Sequence, residues 1–213
     1  MGALDLLFFW KKNSSAKVRN FSYGDKYYEA KCNVGNLEYI KRSIISSSKH
    51  TKNTKKEIKM FNLSFGLTTQ EVMSKLGKPN FKLRKRVLGH VHKIFFYRVE
   101  SAGFLSFVQI HFFDNSFYKG KCYVKNTTSE SKSRIERVIS GKYLNNDLGN
   151  MQSYSITDSN NNRLEIDDSV HFLLSYTSGD SKLKEKIYSL LDKQQDMKDQ
   201  KESREYKLLF ETL

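Results

Sequence analysis

Residues 91–124 constrain the fold more than any other stretch, because strand periodicity there gives way to a nearly continuous apolar run between turn signals. Val91, Lys93, Phe95, Tyr97 and Val99 alternate with His92, Ile94, Phe96 and Arg98. Side chains two apart share one face of a strand, so the first set makes a mainly apolar face. Ser101-Ala102-Gly103 reads as a turn, Phe104 to Phe113 as a central strand covered on both faces, and Asp114-Asn115-Ser116 as the turn into Phe117 to Val124. Three antiparallel strands in a meander are the simplest arrangement, since short connections make sequence neighbours sheet neighbours. An apolar sheet face needs a cover.

The preceding segment supplies one. In FGLTTQEVMSKLGKPN, residues 65–80, Thr68 and Glu71 have capping-box spacing: the threonine hydroxyl accepts from the N3 amide and the glutamate reaches back to the N-cap amide. Leu67 and Val72 fall at the hydrophobic staple positions, and Gly77, two residues before Pro79, suits the left-handed position that ends a helix. Val72, Met73 and Leu76 share a face. Isolated helices under about 12 residues are marginal in water, so this one is expected to dock on the sheet. Thr68, Glu71, Gly77 and Pro79, the one proline of the chain, are read as scaffold.

Gly66-Leu67-Thr68 opens this helix, Val72 lies inside it and Leu76-Gly77-Lys78-Pro79 closes it. Phe95-Phe96-Tyr97 then sits in one strand, and Phe112-Phe113-Asp114-Asn115 ends the next. The combination resembles the SmpA/OmlA (BamE-like) family over about residues 61–125. The resemblance implies a layered α+β unit of two helices on a three-stranded antiparallel sheet, also seen in beta-lactamase inhibitor proteins. It further implies a habit of binding other proteins rather than catalysing reactions.

The flanks read as follows. Residues 17–32 suggest two strands joined at Gly24-Asp25, and Leu37, Ile40, Ile44 and Ile45 a helix starting at Asn36. The polar, basic stretch 47–59 has no period and reads as a mobile loop or linker. Ile135, Val138 and Ile139 form the inward stripe of a helix over 129–140 that stops at Gly141. Met151 to Thr157 and Arg163 to Ile166 flank the turn 158–162 as a hairpin, and Val170 to Tyr176 adds a strand. From Ser181 a charged helix begins, with Leu183, Ile187, Leu190 and Leu191 as an apolar stripe that residues 192–205 do not continue. The expected fold is thus α+β: short helices packed on an antiparallel sheet, with flanking β-hairpins and a charged C-terminal helix. Three regions are expected, 1–60, 61–150 and 151–213, of which the last two could form one domain.

The formal charge of +14 is uneven: residues 1–60 carry 13 basic and 5 acidic side chains, residues 61–150 carry 15 and 6, and residues 151–213 carry 9 and 12. An acidic partner would meet the first two thirds. The basic residues are 28 Lys and 9 Arg, whereas phosphate and base readout favour the arginine fork. Residues 81–98 concentrate Lys82, Arg84, Lys85, Arg86, Lys93 and Arg98 beside the aromatics Phe95 and Tyr97. These eight are the candidate partner-binding residues. They also fit a single-strand nucleic-acid platform, while basic residues alternating with apolar ones describe an edge strand with one wet face.

Catalytic patterns are sparse. No G-x-S-x-G, P-loop, dinucleotide fingerprint or HExxH occurs. His90 and His92 would share a strand face, with His111 and Asp114 on the next strand, a conceivable metal set that reads better as edge-strand histidines. Glu165, Asp167 and Asp168 read as turn carboxylates. Cys32 and Cys122 lie 90 positions apart without ligand spacing, and are read as reduced thiols of a cytoplasmic protein. The apolar run Ala3 to Trp10 lacks a basic n-region and a cleavage site, so a folded N-terminal segment is favoured over a signal or membrane contact. The expected function is a non-catalytic protein-binding module of inhibitor, immunity or assembly-adaptor type, with no cofactor. A nucleic-acid binder is the alternative and a peripheral membrane-surface protein the weaker one.

Overall fold

The computed structural model describes residues 32–45, 50–101, 104–125, 127–145, 153–168 and 172–212. The N-terminal apolar run and the expected hairpin up to residue 31 lie outside them. The helices are α1 (Leu37–Ile44), α2 (Thr69–Leu76), α3 (Ser129–Tyr143) and α4 (Ser181–Thr212). The strands are β1 (Thr51–Asn53), β2 (Phe81–Val87), β3 (His90–Ser101), β4 (Phe104–Phe113), β5 (Ser116–Val124), β6 (Ser153–Thr157), β7 (Arg163–Asp167) and β8 (Phe172–Thr177). All eight join one open sheet in the order β1-β6-β7-β8-β5-β4-β3-β2, antiparallel except for the β1–β6 pair. The fold is α+β.

The expected meander is present as β3–β5, extended by β2 on one side and by β8, β7, β6 and β1 on the other. Its turns follow from residues that tolerate positive φ: Leu88-Gly89 joins β2 to β3 and Asp114-Asn115 joins β4 to β5, all four with φ above zero. The stretch read as a mobile linker is corrected by the structure. Thr51–Asn53 is an edge strand and Ile58 is fully buried. Three residues are too few to show a period, and their pairing with β6 is made by backbone, helped by Thr51 Oγ1 at 2.9 Å from Ser155 Oγ.

Alternate residues of each strand build two unlike faces. On the first, Phe95, Tyr97, Val108, Ile110, Phe112, Phe117, Cys122, Ile156, Leu164, Ile166 and Leu174 form the main core. It is roofed by α2 through Val72 and Leu76, by Ile58, Met60 and Leu63 of the preceding loop, and by α3 through Ile139 and Tyr143. The capping box of Thr68 and Glu71 is formed as expected, and Gly77 ends α2 at φ 83°. Helix α3 runs to Tyr143, past the expected stop at Gly141, because the large Tyr143 ring is buried under it and its hydroxyl bonds the Lys59 carbonyl. Gly120 leaves room for this roof, since a Cβ there would lie 2.0 Å from Met60 Sδ.

The second face is covered by α1 and α4. Leu37, Ile40 and Ile44 of α1 pack with Ile187 and Leu190 of α4 on Phe113 and Tyr118, while Cys32 and Val34 lie on Leu83 and Ile94. From Asp192 onward most of α4 is exposed. Among the described residues, no helix is long and apolar enough to cross a membrane.

Candidate functional site

Among the described residues, strand β2 closes one end of the sheet, with β3 as its single strand neighbour. Its register places Lys82 opposite Phe95, Arg84 opposite Lys93 and Arg86 opposite Val91. Lys82, Arg84, Arg86 and Lys93 therefore share the first face, outboard of α2, and Lys85 points to the second. Lys82, Arg84, Lys85 and Arg86 are all exposed. Lys82 reaches Met73 Sδ of α2 at 3.6 Å, and Lys93 donates to Asn115 Oδ1 at 3.3 Å. Among the described residues no ion pair joins any of these cations to a carboxylate. They form a basic ledge along the β2 edge of the described sheet.

The other predicted residues sit elsewhere. Phe95 and Tyr97 are 4% exposed, roofed by α2, and Tyr97 donates from its hydroxyl to the Gly77 carbonyl at 3.3 Å. They are core residues, withdrawn from any partner. Phe95 still takes part at one remove, because Lys82 Nζ lies 5.1 Å from its ring centroid. Arg98 is exposed on the second face, away from the ledge.

That second face holds a polar cluster the sequence reading did not assemble. One row crosses the sheet in register, Arg163, Thr177, Lys119 and His111. A bulge between β4 and β5 makes Tyr118 an extra residue and brings it to the same side as Lys119. Helix α1 lies over the row and is held at both ends. Lys119 Nζ donates to the Ser43 carbonyl at 2.6 Å and Arg163 Nη2 to the Ile44 carbonyl at 3.4 Å, two carbonyls of the last turn with no partner inside the helix. In between, Lys121 Nζ donates to Tyr39 Oη at 2.9 Å. Ahead of the first turn, Gly35 N–H donates to His92 Nδ1 at 2.9 Å.

The polarity of the Gly35 bond settles the chemistry of His92. Its Nδ1 is the acceptor, so the neutral ring carries its proton on Nε2, 3.3 Å from both His111 Nδ1 and Tyr118 Oη. A ligating histidine has the reverse polarity, with the outer nitrogen donating and the inner one bare. The four residues considered for a metal thus separate into two pairs, His92 with His111 in the interior and His90 with Asp114 at the rim, 2.7 Å apart and joined by Lys186. Among the described residues no set of three or more His, Cys, Asp or Glu is placed to hold a metal ion.

Burial shapes the titration of the cluster. His92 and His111 have no exposed surface; desolvation lowers His92 to about 4 and His111 well below the ordinary histidine range. The same desolvation, reinforced by Lys121, lowers Lys119 to about 7. His111 Nε2 is buried with no hydrogen-bond partner among the described residues. The sequence signal for this cluster is Lys119 and Lys121 alternating with Gly120 and Cys122. It reads as the wet face of an outer strand because nothing local tells that β8 pairs beyond β5.

No family model matches the chain, and neither the curated proteins nor the solved structures compared with it give a match.

Proposed function

We propose that this chain is a non-catalytic binding module whose basic ledge, Lys82, Arg84, Arg86 and Lys93, docks an acidic segment of a protein partner. An inhibitor, immunity or assembly-adaptor role would suit such a module. The observation that carries the reading is four cations on one face of an edge strand and its neighbour, three of them exposed and none offset by a carboxylate among the described residues. Folding gains nothing evident from holding like charges side by side, whereas a partner that neutralises them gains both steering and specificity.

Nucleic acid is the less favoured partner for a geometric reason. Stacking platforms present exposed rings to the bases, and the two rings beneath the ledge, Phe95 and Tyr97, are buried. The likeness to the SmpA/OmlA family supports a protein partner too. Its helix motif here consists of caps and buried apolar residues, so it speaks for architecture more than for a site.

The test is affinity purification with the whole chain beside a variant carrying Lys82→Glu, Arg84→Glu and Arg86→Glu. A specific protein partner recovered by the wild type and lost by the variant supports the reading, provided far-UV circular dichroism is unchanged. Equal recovery counts against the ledge. Salt-dependent gel retardation of single-stranded oligonucleotides, abolished by the same variant, would move the assignment to nucleic acid.

A further inference from the structure

We infer that α1 is an acid-releasable cover: protonation of the buried His92–His111 pair detaches Gly35 and α1 from the second face of the sheet. The inference is independent of the ledge. It starts from the Gly35 N–H bond, which needs a bare His92 Nδ1. Adding a proton there turns the acceptor into a donor and sets two N–H groups against each other. The relay beyond has no slack, because His92 Nε2 already meets His111 Nδ1 and Tyr118 Oη, and His111 Nε2 has no partner among the described residues.

Among the described residues a charged imidazole finds no counter-charge. Facing the pair are Tyr118, Lys119 and Lys121 of β5, Lys85 opposite His92 on β2, and Tyr39 of α1 at the Lys121 ammonium. The carboxylates of this side are engaged elsewhere: Asp114 with His90 and with Lys186 of α4, and Glu165 with Arg163. Glu38 is exposed on α1. The helix itself opposes the charge, since His92 bonds the turn that leads into the positive end of the α1 dipole while Lys119 and Arg163 hold its negative end. Solvent can reach the Gly35 end through a groove of about 440 Å³ bordered by Asn33, Lys85, Gln194 and Lys198. The weakest point of the cover is thus the one nearest to water.

Releasing α1 does not require unfolding. The main core is on the other face; among the described residues, Leu37, Ile40 and Ile44 of α1 leave the cluster they share with α4, Phe113 and Tyr118, and Val34 ahead of the helix leaves Leu83 and Ile94. The released state exposes Lys119 and Tyr118, buried at neutral pH, beside the half-buried Lys121, a second cationic surface.

Hydrogen exchange of the whole chain between pH 7.5 and 4.5, corrected for the intrinsic rate, reads the opening directly. The expected result is a rise on the order of a hundredfold in opening at residues 37–44, with Ile110 of β4 staying far better protected than α1 at both pH values, as follows when an open-state histidine of ordinary pKa competes with a closed one near 4. His92→Asn keeps an acceptor near the Nδ1 position and cannot titrate, so its α1 should stay closed at pH 4.5. The His90→Asn control should open like the wild type. Carbon-13 shifts of the wild-type imidazoles give a reading that needs no variant: His92 should be the Nε2–H tautomer at pH 7.5 and protonate together with the opening. Constant α1 protection down to pH 4.5, opening without His92 protonation, or an Nδ1–H tautomer would each overturn the inference.

Discussion

The two faces of the sheet are made by alternate residues of the same strands, yet one is dry and the other holds two imidazoles and two ammonium groups beneath a helix. Ile110 and His111 are adjacent on β4 and both have no exposed surface. Ile110 packs in the large core beneath the roof of α2, α3 and the 58–63 loop, while His111 lies under α1 among groups that must be hydrogen-bonded or neutral. The lesson is that burial alone does not make a face stabilising. On the dry face burial removes apolar surface from water, an effect that does not depend on pH near neutrality. On the polar face the same burial holds only while particular nitrogens stay unprotonated.

The largest expected effect tests the dry face. Ile110→Ala should cost about 3 to 4 kcal/mol in urea unfolding, since the site is central and closed on every side. A cost under about 1 kcal/mol would mean that the first face is not the main core. Next comes Gly120→Ala, whose new Cβ meets Met60 Sδ and should cost about 2 kcal/mol by overpacking. Combining it with Met60→Ala should cost less than the two singles added, because the second change removes the clash that the first creates.

On the polar face the effect is smaller and depends on pH. His92 is lowered to about 4 in the fold from an ordinary 6.5, so the unfolded chain binds more protons between these values. Stability should therefore rise with pH across that window and be lost as pH falls toward 4. Lys119, lowered from 10.5 to about 7, adds a second rising window from about pH 7 to 10.5. His92→Asn should flatten the first window and Lys119→Met the second, both read from urea midpoints across pH. Variants on the dry face should leave both slopes intact. If Ile110→Ala flattened either window, the separation of the two faces would fail.

How far the sequence revealed these faces depends on the range of the interactions. Local chemistry was legible: the Thr68–Glu71 box, the Gly77 stop, the Asp114-Asn115 turn and the alternation along β3 all involve residues within a few positions of one another. Strand identity was mostly legible too, β1 excepted, down to the 158–162 hairpin, where buried Asp158 accepts from the amides of Asn160 and Asn162. Sheet order beyond the β3–β5 meander was not. Whether β5 is an edge or a centre depends on β8, some fifty residues later, and on that choice hangs whether Lys119 and Lys121 are wet or buried. The ledge was visible as a basic strand because β2 is an edge. Phe95 and Tyr97 share the ledge's face but are buried beneath α2, and Lys85 and Arg98 lie on the other face, since the sequence shows which residues alternate but not how far along the strands the helix cover extends.

The smallest expected stability effects fall outside the buried part of either face. Thr68→Ala should cost about 1 kcal/mol, the usual worth of a helix cap, since it leaves the Glu71 amide unsatisfied. Arg84→Glu with Arg86→Glu should change stability by less than about 0.5 kcal/mol, as exposed charges with no partner among the described residues have nothing to lose. That near-zero value is informative because it isolates the ledge from the scaffold. Paired with lost partner recovery, it would make the ledge a surface used only when something docks there. A cost above about 1 kcal/mol would instead show that the cations hold β2 in place, and the binding reading would lose the one observation on which it stands.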